Sequence, residues 1–268
     1  TLQANYSALH GLPLYVNQMN TAILRFIGGN EDLSITTTMH PMPRTSYQKD
    51  IDSGFDSFSV SVFIMIAYTF VSAAWIAFIV REKETKCKHQ QVVSGVGLEA
   101  YWISSYLWDV VSLVPAVAFT MIVLAAADVK SLIDGEAGAA TGLLFMLYAL
   151  SMPSYTYLWS FFFSSYSTAQ NSFLFHNLIT GLILPIATTI MGVFPGTVGD
   201  VGQGIAAVFR LCPQFALGNG LMNISFMAIF SFIDDTTYTP LDMRITGNGL
   251  VYMAILTVVY FVLLLFVE

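Results

Sequence analysis

Residues 81–109 read REKETKCKHQQVVSGVGLEAYWISSYLWD, and this stretch decides the fold because it separates two apolar runs. The run before it, 57–80, contains no Asp, Glu, Lys, Arg or His. As a helix that run is about 36 Å long, which exceeds the roughly 30 Å hydrocarbon core of a bilayer. Four of the ten Lys and Arg residues lie in the first eight positions of 81–109. Because cytoplasmic loops carry the excess of Lys and Arg, 81–100 is predicted to be cytoplasmic.

The charge that the chain lacks is missing from long blocks. Of its 268 residues, 56% are hydrophobic and 10% are charged, whereas a soluble domain carries about 25% charged residues. The blocks are 57–80, 101–127, 139–163, 169–194 and 250–267. They predict an all-α membrane protein with about five spanning helices. The alternative is a large soluble protein with buried helices, but such helices seldom exceed about 20 residues without charge.

Five crossings fix the topology of the remaining segments. Residues 1–56 and 195–249 are predicted to lie outside, and Glu268 returns to the cytoplasm. Two sequons, at Asn5 and Asn223, fall on the predicted outer side and are candidate glycosylation sites. The single short basic cluster argues against a nucleic-acid partner, and no metal-ligand spacing occurs.

The outer stretch 201–233 is apolar but interrupted. Pro213, Gly218 and Gly220 break it, and straight helices tolerate such residues poorly. A sixth full span would also place the C-terminus outside. The sequence therefore favours a re-entrant or interfacial helical hairpin on the outer face, since broken backbone at membrane depth needs burial in protein or a wet cavity.

Three motifs resemble the A subfamily of ABC transporters. The first is EKETKCKHQQVVSGV at 82–96 with YW at 101–102 and LWD at 107–109. The second is FRLCPQFALGNGL at 209–221, and the third is NQMNTAILR at 17–25. The motifs have the family's order and spacing, and the second of its two transmembrane domains is the closer match. Cys212 stands where the family usually has Phe, and Asn219 where a basic residue is common.

The resemblance implies an ABC-2, type V exporter-like transmembrane domain. Residues 1–56 would be the end of the large extracellular domain, and 57–268 would supply helices two to six. The chain has no initial Met and stops at the end of an apolar run, so we expect a fragment. It contains no phosphate loop and no cofactor site of its own. ATP and Mg would bind a nucleotide-binding domain beyond Glu268. The expected partners are nucleotide-binding domains, the other transmembrane domain of the same polypeptide and membrane lipid.

The resemblance also makes 81–100 a coupling helix that docks on the nucleotide-binding domain. The pattern of residues in this loop fits an amphipathic helix lying across the membrane. The residues expected to couple are Lys86, His89, Gln90, Gln91 and Gly95. The alternative is a solvated basic loop attracted to anionic lipid.

Two ionisable residues fall inside predicted spans, Asp109 and His176. A charge there is costly unless it is paired or hydrated. Their similar predicted depth suggests a hydrogen-bonded pair, or a polar cluster with Ser105, Ser112 or Asn177. In the alternative, the two residues are independent and each meets headgroups or backbone.

The small polar residues of the first and fourth spans are candidates for a substrate path, since by resemblance these helices face the partner domain. They are Thr69, Ser72, Thr180, Thr188 and Thr189. The expected function is ATP-driven movement of lipid or another amphipath by a multi-pass membrane protein, in the plasma membrane or an endomembrane. An ATP-independent channel or scramblase, and an acyltransferase that uses His176 or Asp109, are the alternatives.

Overall fold

The computed structural model describes residues 11–36 and 43–268, and within these ranges the chain is helical without strands. The chain forms two compact units, Thr1–Arg44 and Thr45–Glu268. In the first unit, α1 spans Gly11–Gly28. Two side chains of α1 hold the segment that follows it, with Arg25 Nε donating to the Leu33 carbonyl at 2.9 Å and Asn17 Nδ2 to the Ile35 carbonyl at 3.1 Å.

The second unit is a bundle of long and short helices. In chain order they are α2 (Ser46–Glu84), α3 (Cys87–Val93), α4 (Leu98–Ala126), α5 (Lys130–Ile133), α6 (Glu136–Ser160), α7 (Tyr166–Leu178), α8 (Leu184–Val193), α9 (Thr197–Phe209), α10 (Pro213–Ser225), α11 (Met227–Ile233) and α12 (Asn248–Val267). One wide π turn, Ile179–Ile183, joins α7 to α8, and another, Met243–Gly247, leads into α12.

Five helical segments of the described chain are long and apolar enough to cross a membrane, which confirms the predicted number of spans. They are Ser46–Glu84, Leu98–Ala126, Glu136–Ser160, Tyr166–Val193 and Met243–Val267. Both wide turns lie within or at the start of these segments, so neither ends a span.

The helix that carries the first span starts eleven residues before the predicted span boundary at 57, since α2 begins at Ser46 and runs for 39 residues. A capping box fixes this start. The backbone N–H of Gln48 donates to Thr45 Oγ1 at 3.2 Å, and the Thr45 N–H donates to Gln48 Oε1 at 3.1 Å. At about 1.5 Å per residue α2 is about 58 Å long, so part of it extends beyond any bilayer core. Charge marks where a span leaves the apolar region, and it does not mark where the helix ends.

The inner ends of four helical segments meet around the loop 81–97. Tyr101 Oη at the start of α4 donates to Glu82 Oε2 at 2.6 Å. Lys83 Nζ donates to the Phe163 carbonyl at 3.2 Å, in the link between α6 and α7. Glu268 at the end of α12 forms an ion pair with Lys88 at 2.5 Å. The C-terminal end of the last span therefore lies at the same end of the bundle as the basic loop, as five crossings require.

The centre of this unit is α10, and all thirteen of its residues are buried. Its first turn lies midway along the bundle, because Gln214 Nε2 donates to Thr69 Oγ1 of α2 at 3.2 Å. Its last residue lies near the outer part of α2, where a Cβ built on Gly54 would meet the Ser225 carbonyl at 2.5 Å. The chain thus enters the bundle along α9 and returns outward along α10.

This path through α9 and α10, residues 197–225, is compatible with the re-entrant hairpin predicted at 201–233. The helix α11 is bent by 66° from α10, so the two do not form one straight sixth span. Proline explains the inner break, since Pro213 stands at the first position of α10 where its missing N–H costs nothing. The hairpin stays a prediction with respect to the membrane.

Close helix contact at α10 predicts a specific stability difference. A methyl added at Gly218 would lie 2.6 Å from the Gly181 carbonyl, whereas one at Gly204 in α9 meets nothing within 4 Å. We expect Gly218→Ala to lower the free energy of unfolding by about 1–3 kcal/mol because the backbone must move. Gly204→Ala, the matched control, gains helix propensity and should be neutral or stabilising by up to about 1 kcal/mol. Thermal unfolding of the purified parent protein checks this, and equal melting of both variants would contradict it.

Candidate functional site

The loop between the first two spans forms a short helix that is open to its surroundings. None of the residues of α3 is buried. Left-handed backbone brackets it, with Lys86 at φ 60° before the helix and Gly95 at φ 101° after it. The other side chains expected to couple are all exposed, namely His89, Gln90 and Gln91. A seven-residue helix presented in this way between two spans is a surface that a partner can reach.

One side chain of α3 holds it against the bundle. Lys88 Nζ lies 2.5 Å from Glu268 Oε1 of the last span and 4.4 Å from the ring centroid of Trp102 in α4. Val92, one turn later, is also partly covered. Because Lys88 and Val92 share a face, the opposite face with Gln90 and Val93 points away from the bundle.

Asp109 is satisfied by a tyrosine of the third span. It is 9% exposed, and Tyr157 Oη donates to its Oδ2 at 2.5 Å. Ser112, one of its suggested partners, donates to the backbone carbonyl of Asp109 at 2.9 Å. The carboxylate is therefore held between α4 and α6.

His176 has a different tyrosine partner. Its Nε2 lies 2.8 Å from Tyr155 Oη, and its ring centroid lies 4.4 Å from that of Trp159. The same Tyr155 hydroxyl lies 3.4 Å from Cys212 Sγ, at the turn before α10. The imidazole thus sits in an aromatic setting between α6 and α7.

The expected hydrogen bond between Asp109 and His176 is not formed. Tyr155 and Tyr157 are two residues apart on α6, so their side chains point in directions about 200° apart around the helix. Asp109 and His176 consequently lie on opposite sides of α6. Asn177, another of the three suggested partners, donates to Ser72 Oγ at 2.8 Å. The alternating tyrosines at 155 and 157 were the missed signal in the sequence.

The candidate residues of a substrate path lie inside this chain's own bundle. Each is at most 5% exposed, and the set is Thr69, Ser72, Thr180, Thr188 and Thr189. Their hydroxyls donate to the backbone four residues earlier or pair with a neighbouring helix, as for Thr189 Oγ1 and Asn223 Oδ1 at 3.0 Å. Small polar residues in spans let helices approach closely, so these contacts join the helices of this bundle. Thr188 also lines a polar cavity bordered by α9, and the role of these residues in a substrate path stays a prediction.

Gln214 joins three helices and was missed from the sequence. Its Oε1 accepts from Tyr148 Oη of α6 at 2.6 Å, and its Nε2 donates to Thr69 Oγ1 of α2 at 3.2 Å. A single Gln after a Pro is not part of a periodic sequence pattern. The role of Gln214 follows from the position of α10 in the bundle, which the sequence does not give.

The two glycosylation candidates have different outcomes. Asn5 lies outside the described residues. Asn223 is 6% exposed in α10, and its Nδ2 donates to the Ile245 carbonyl at 3.1 Å. In the folded chain this nitrogen is therefore engaged inside the bundle, and glycosylation at Asn223 stays a prediction.

The polar side chains of the spans form contacts between helices, and α6 separates His176 from Asp109. Within 11–36 and 43–268, no three His, Cys, Asp or Glu side chains converge as metal ligands. The described side chains therefore offer two candidate functional surfaces, the exposed face of α3 and a polar cavity bordered by α9.

Removal of the Tyr157 hydroxyl tests the contact with Asp109. Tyr157→Phe leaves a buried carboxylate without its donor, so we expect unfolding free energy to fall by about 1–3 kcal/mol. Tyr157→Phe combined with Asp109→Leu should recover part of this loss, because neither polar group is then left unpaired. Tyr166→Phe, at an exposed tyrosine, is the control. Thermal unfolding measures all four proteins, and a Tyr157→Phe variant as stable as the control would contradict the assignment.

Comparison with known proteins agrees with this architecture. Residues 1–266 match the family described as ABC-2 family transporter protein. The chain is 33% identical to ATP-binding cassette sub-family A member 2 of Homo sapiens, over 97% of this chain and 11% of that protein. It is 31% identical to the phospholipid-transporting ATPase ABCA3 of Rattus norvegicus, over 71% of this chain and 11% of that protein. It is 27% identical to the glucosylceramide transporter ABCA12 of Mus musculus, over 81% and 9%.

The chain spans about a tenth of the length of the curated relatives that it matches. The match covers its five spans together with the basic loop and α10, so it concerns the membrane-embedded part of such proteins. From its helices and from this match along nearly its whole length, the chain belongs to the ABC-2 family of transporter proteins.

Proposed function

We propose that this chain is the membrane-spanning part of an ATP-driven ABC transporter that moves lipids or other amphipathic substrates across or out of the bilayer. The family supports a transporter, and two of the relatives are named for transport of phospholipid and glucosylceramide. The observation that carries the proposal is the exposed helix α3, held between two spans at one end of the bundle. In this proposal the chain supplies the path and the coupling surface, and ATP and Mg bind elsewhere in the polypeptide.

Coupling would work through the contacts of α3. Its exposed face, with Lys86, His89, Gln90 and Gln91, would receive the nucleotide-binding domain, and Gly95 would allow the turn into α4. Since α3 is short and connects α2 directly to α4, displacement of α3 must move one or both spans. The Lys88–Glu268 ion pair extends the effect to the last span.

The other transmembrane domain of the same polypeptide would pack on an apolar face that this bundle leaves open. On α2 that face carries Phe63, Phe70 and Phe78, which are 72%, 58% and 60% exposed. Their spacing of seven and eight residues puts them on one side of the helix. Such a stripe suits lipid or a second apolar helix surface, as the proposed function requires.

The alternatives predict different dependence on ATP. A channel or scramblase would move lipid without ATP, and an acyltransferase would need a reactive pair that substrate can reach. The aromatic surroundings of His176 and the separation of Asp109 from it favour a structural role for both residues. Lipid transport that is the same with and without ATP, in vesicles that contain the full-length protein, would contradict the proposal.

Charge reversal on α3 tests the coupling surface. We expect Lys86→Glu to lower ATP-dependent lipid transport by about 2- to 30-fold, the range of mutations that alter coupling without contacting ligand. The left-handed conformation at φ 60° is uncommon for any residue other than Gly, and the substitution adds no β-branched side chain there.

Lys130→Glu supplies the matched control, because it makes the same charge change at an exposed residue of the predicted outer loop. Both variants should reach the cell surface in normal amounts. Transport that is unchanged in Lys86→Glu, or lowered equally in both variants, would count against coupling through α3.

A further inference from the structure

A polar cavity of about 490 Å³ opens among α8, α9, α10 and the start of α12. Its volume falls in the range of about 300–1,000 Å³ that is typical of small-molecule sites. Gly192, Gly202 and Ala206 line its walls, and Asn219 and Gln203 add amide groups. No described residue assigned to the coupling surface belongs to it.

Arg210 brings a positive charge into this cavity at the inner end of α9. It is the C-cap residue of a helix that starts at Thr197, so it lies about 20 Å along the helix from that start. Its Nε is buried and has no hydrogen-bond partner in the described part of the chain. Arg210 also forms no ion pair within 11–36 and 43–268, and the remaining residues of the chain include no Asp or Glu.

The second arginine of the cavity is already neutralised. Arg244 forms an ion pair with Asp234, and its guanidinium carbon lies 5.3 Å from the ring centroid of Phe230. Its Nη2 donates to the Gly192 carbonyl at 3.4 Å. The cavity therefore carries one uncompensated positive charge, on Arg210. A charge at membrane depth is costly unless it is paired or hydrated. A ligand with one negative charge would therefore stabilise the cavity around Arg210.

The side of α9 that faces away from the cavity indicates which kind of ligand carries this negative charge. Val201 and Val208 of α9 are 52% and 62% exposed and Leu211, just after the helix, is 49% exposed, and none of the three lines the cavity. A ligand with its anion at Arg210 that extends past α9 into the surrounding membrane would meet this apolar side. Free inorganic phosphate has no group for such a face, whereas a membrane lipid has its acyl chains.

We propose that the cavity binds the phosphodiester of a lipid headgroup, with Arg210 as the anion-binding residue and the acyl chains along α9. One phosphodiester carries one negative charge and matches the single free cation, and the planar guanidinium suits two phosphate oxygens. The proposal rests on the proposed function and deepens it, because it names a chemical class of amphipath and the residue that recognises it.

The test measures binding to the purified full-length protein in a non-ionic, phosphate-free detergent. The probes are a fluorescent short-chain phosphatidylcholine, a diacylglycerol with the same chains and label, and inorganic phosphate as competitor. We expect wild type to prefer the phosphatidylcholine, and R210A to weaken its binding about 10- to 100-fold, as loss of a charged hydrogen bond does. R210A should bind diacylglycerol as wild type does. R210K should restore part of the affinity, and K130A, which removes an exposed positive charge outside the cavity, should leave it unchanged.

Three outcomes would overturn the proposal. They are equal affinity of wild type for the two lipids, undiminished phosphatidylcholine binding by R210A, and displacement of the lipid by inorganic phosphate at the same concentration as by unlabelled phosphatidylcholine. The comparison of the two lipids on wild type needs no variant, so it decides the matter even if R210A does not fold. Transport assayed with and without ATP is a separate readout. Its lack of ATP dependence would refute the proposed function while a phosphodiester preference still supports the site.

Discussion

The insertion of α10 among the spans is the contact on which the rest of this bundle depends. A helix of thirteen buried residues brings backbone and amide groups into the middle of an apolar structure, where no water can satisfy them. The side-chain amide of Gln214 is satisfied by hydrogen bonds to Tyr148 and Thr69, which lie on two different spans. The approach of Gly218 to the Gly181 carbonyl, with no Cβ between them, brings α10 against the π turn. The wide turn and the buried helix thus require each other.

Polar contacts inside the spans have two different characters. Asp109, His176, Asn177 and Gln214 each have a partner on another helix, so they hold helices together. These polar side chains specify which helices are neighbours. Dispersion forces between apolar surfaces do not provide this specificity. Arg210 is the contrast, because its buried Nε lacks a partner and no described acidic side chain forms an ion pair with it. Asn177 Oδ1 also lacks a partner, but it carries no charge. That difference separates structural polar groups from one that is suited to a ligand.

The sequence predicts the spans well because the signal is the absence of charge, and each block without charge became a helix. It predicts the path of 201–233 only in outline, since Pro213 shows where a helix breaks but not how deep the break lies. The sequence does not predict the contacts between spans, for a physical reason. In a nearly uniform apolar sequence, the helical period does not distinguish a face toward lipid from a face toward protein. Tyr155 and Tyr157 illustrate this, because their opposite directions on α6 decide the partners of Asp109 and His176.

The last span connects the two candidate functional surfaces. At its inner end Glu268 binds Lys88 of α3, and just before its outer end Arg244 borders the cavity of Arg210. The helix between them, Asn248–Val267, has twenty residues and no proline, so it moves as one body about 30 Å long. A shift of α3 by a docked domain would therefore reach the cavity through α12. Since Arg244 is bonded to Asp234 and to the Gly192 carbonyl, the same shift would change the wall on which a bound phosphodiester rests. In the proposed transporter, α12 and two ion pairs would connect the coupling surface with the lipid site.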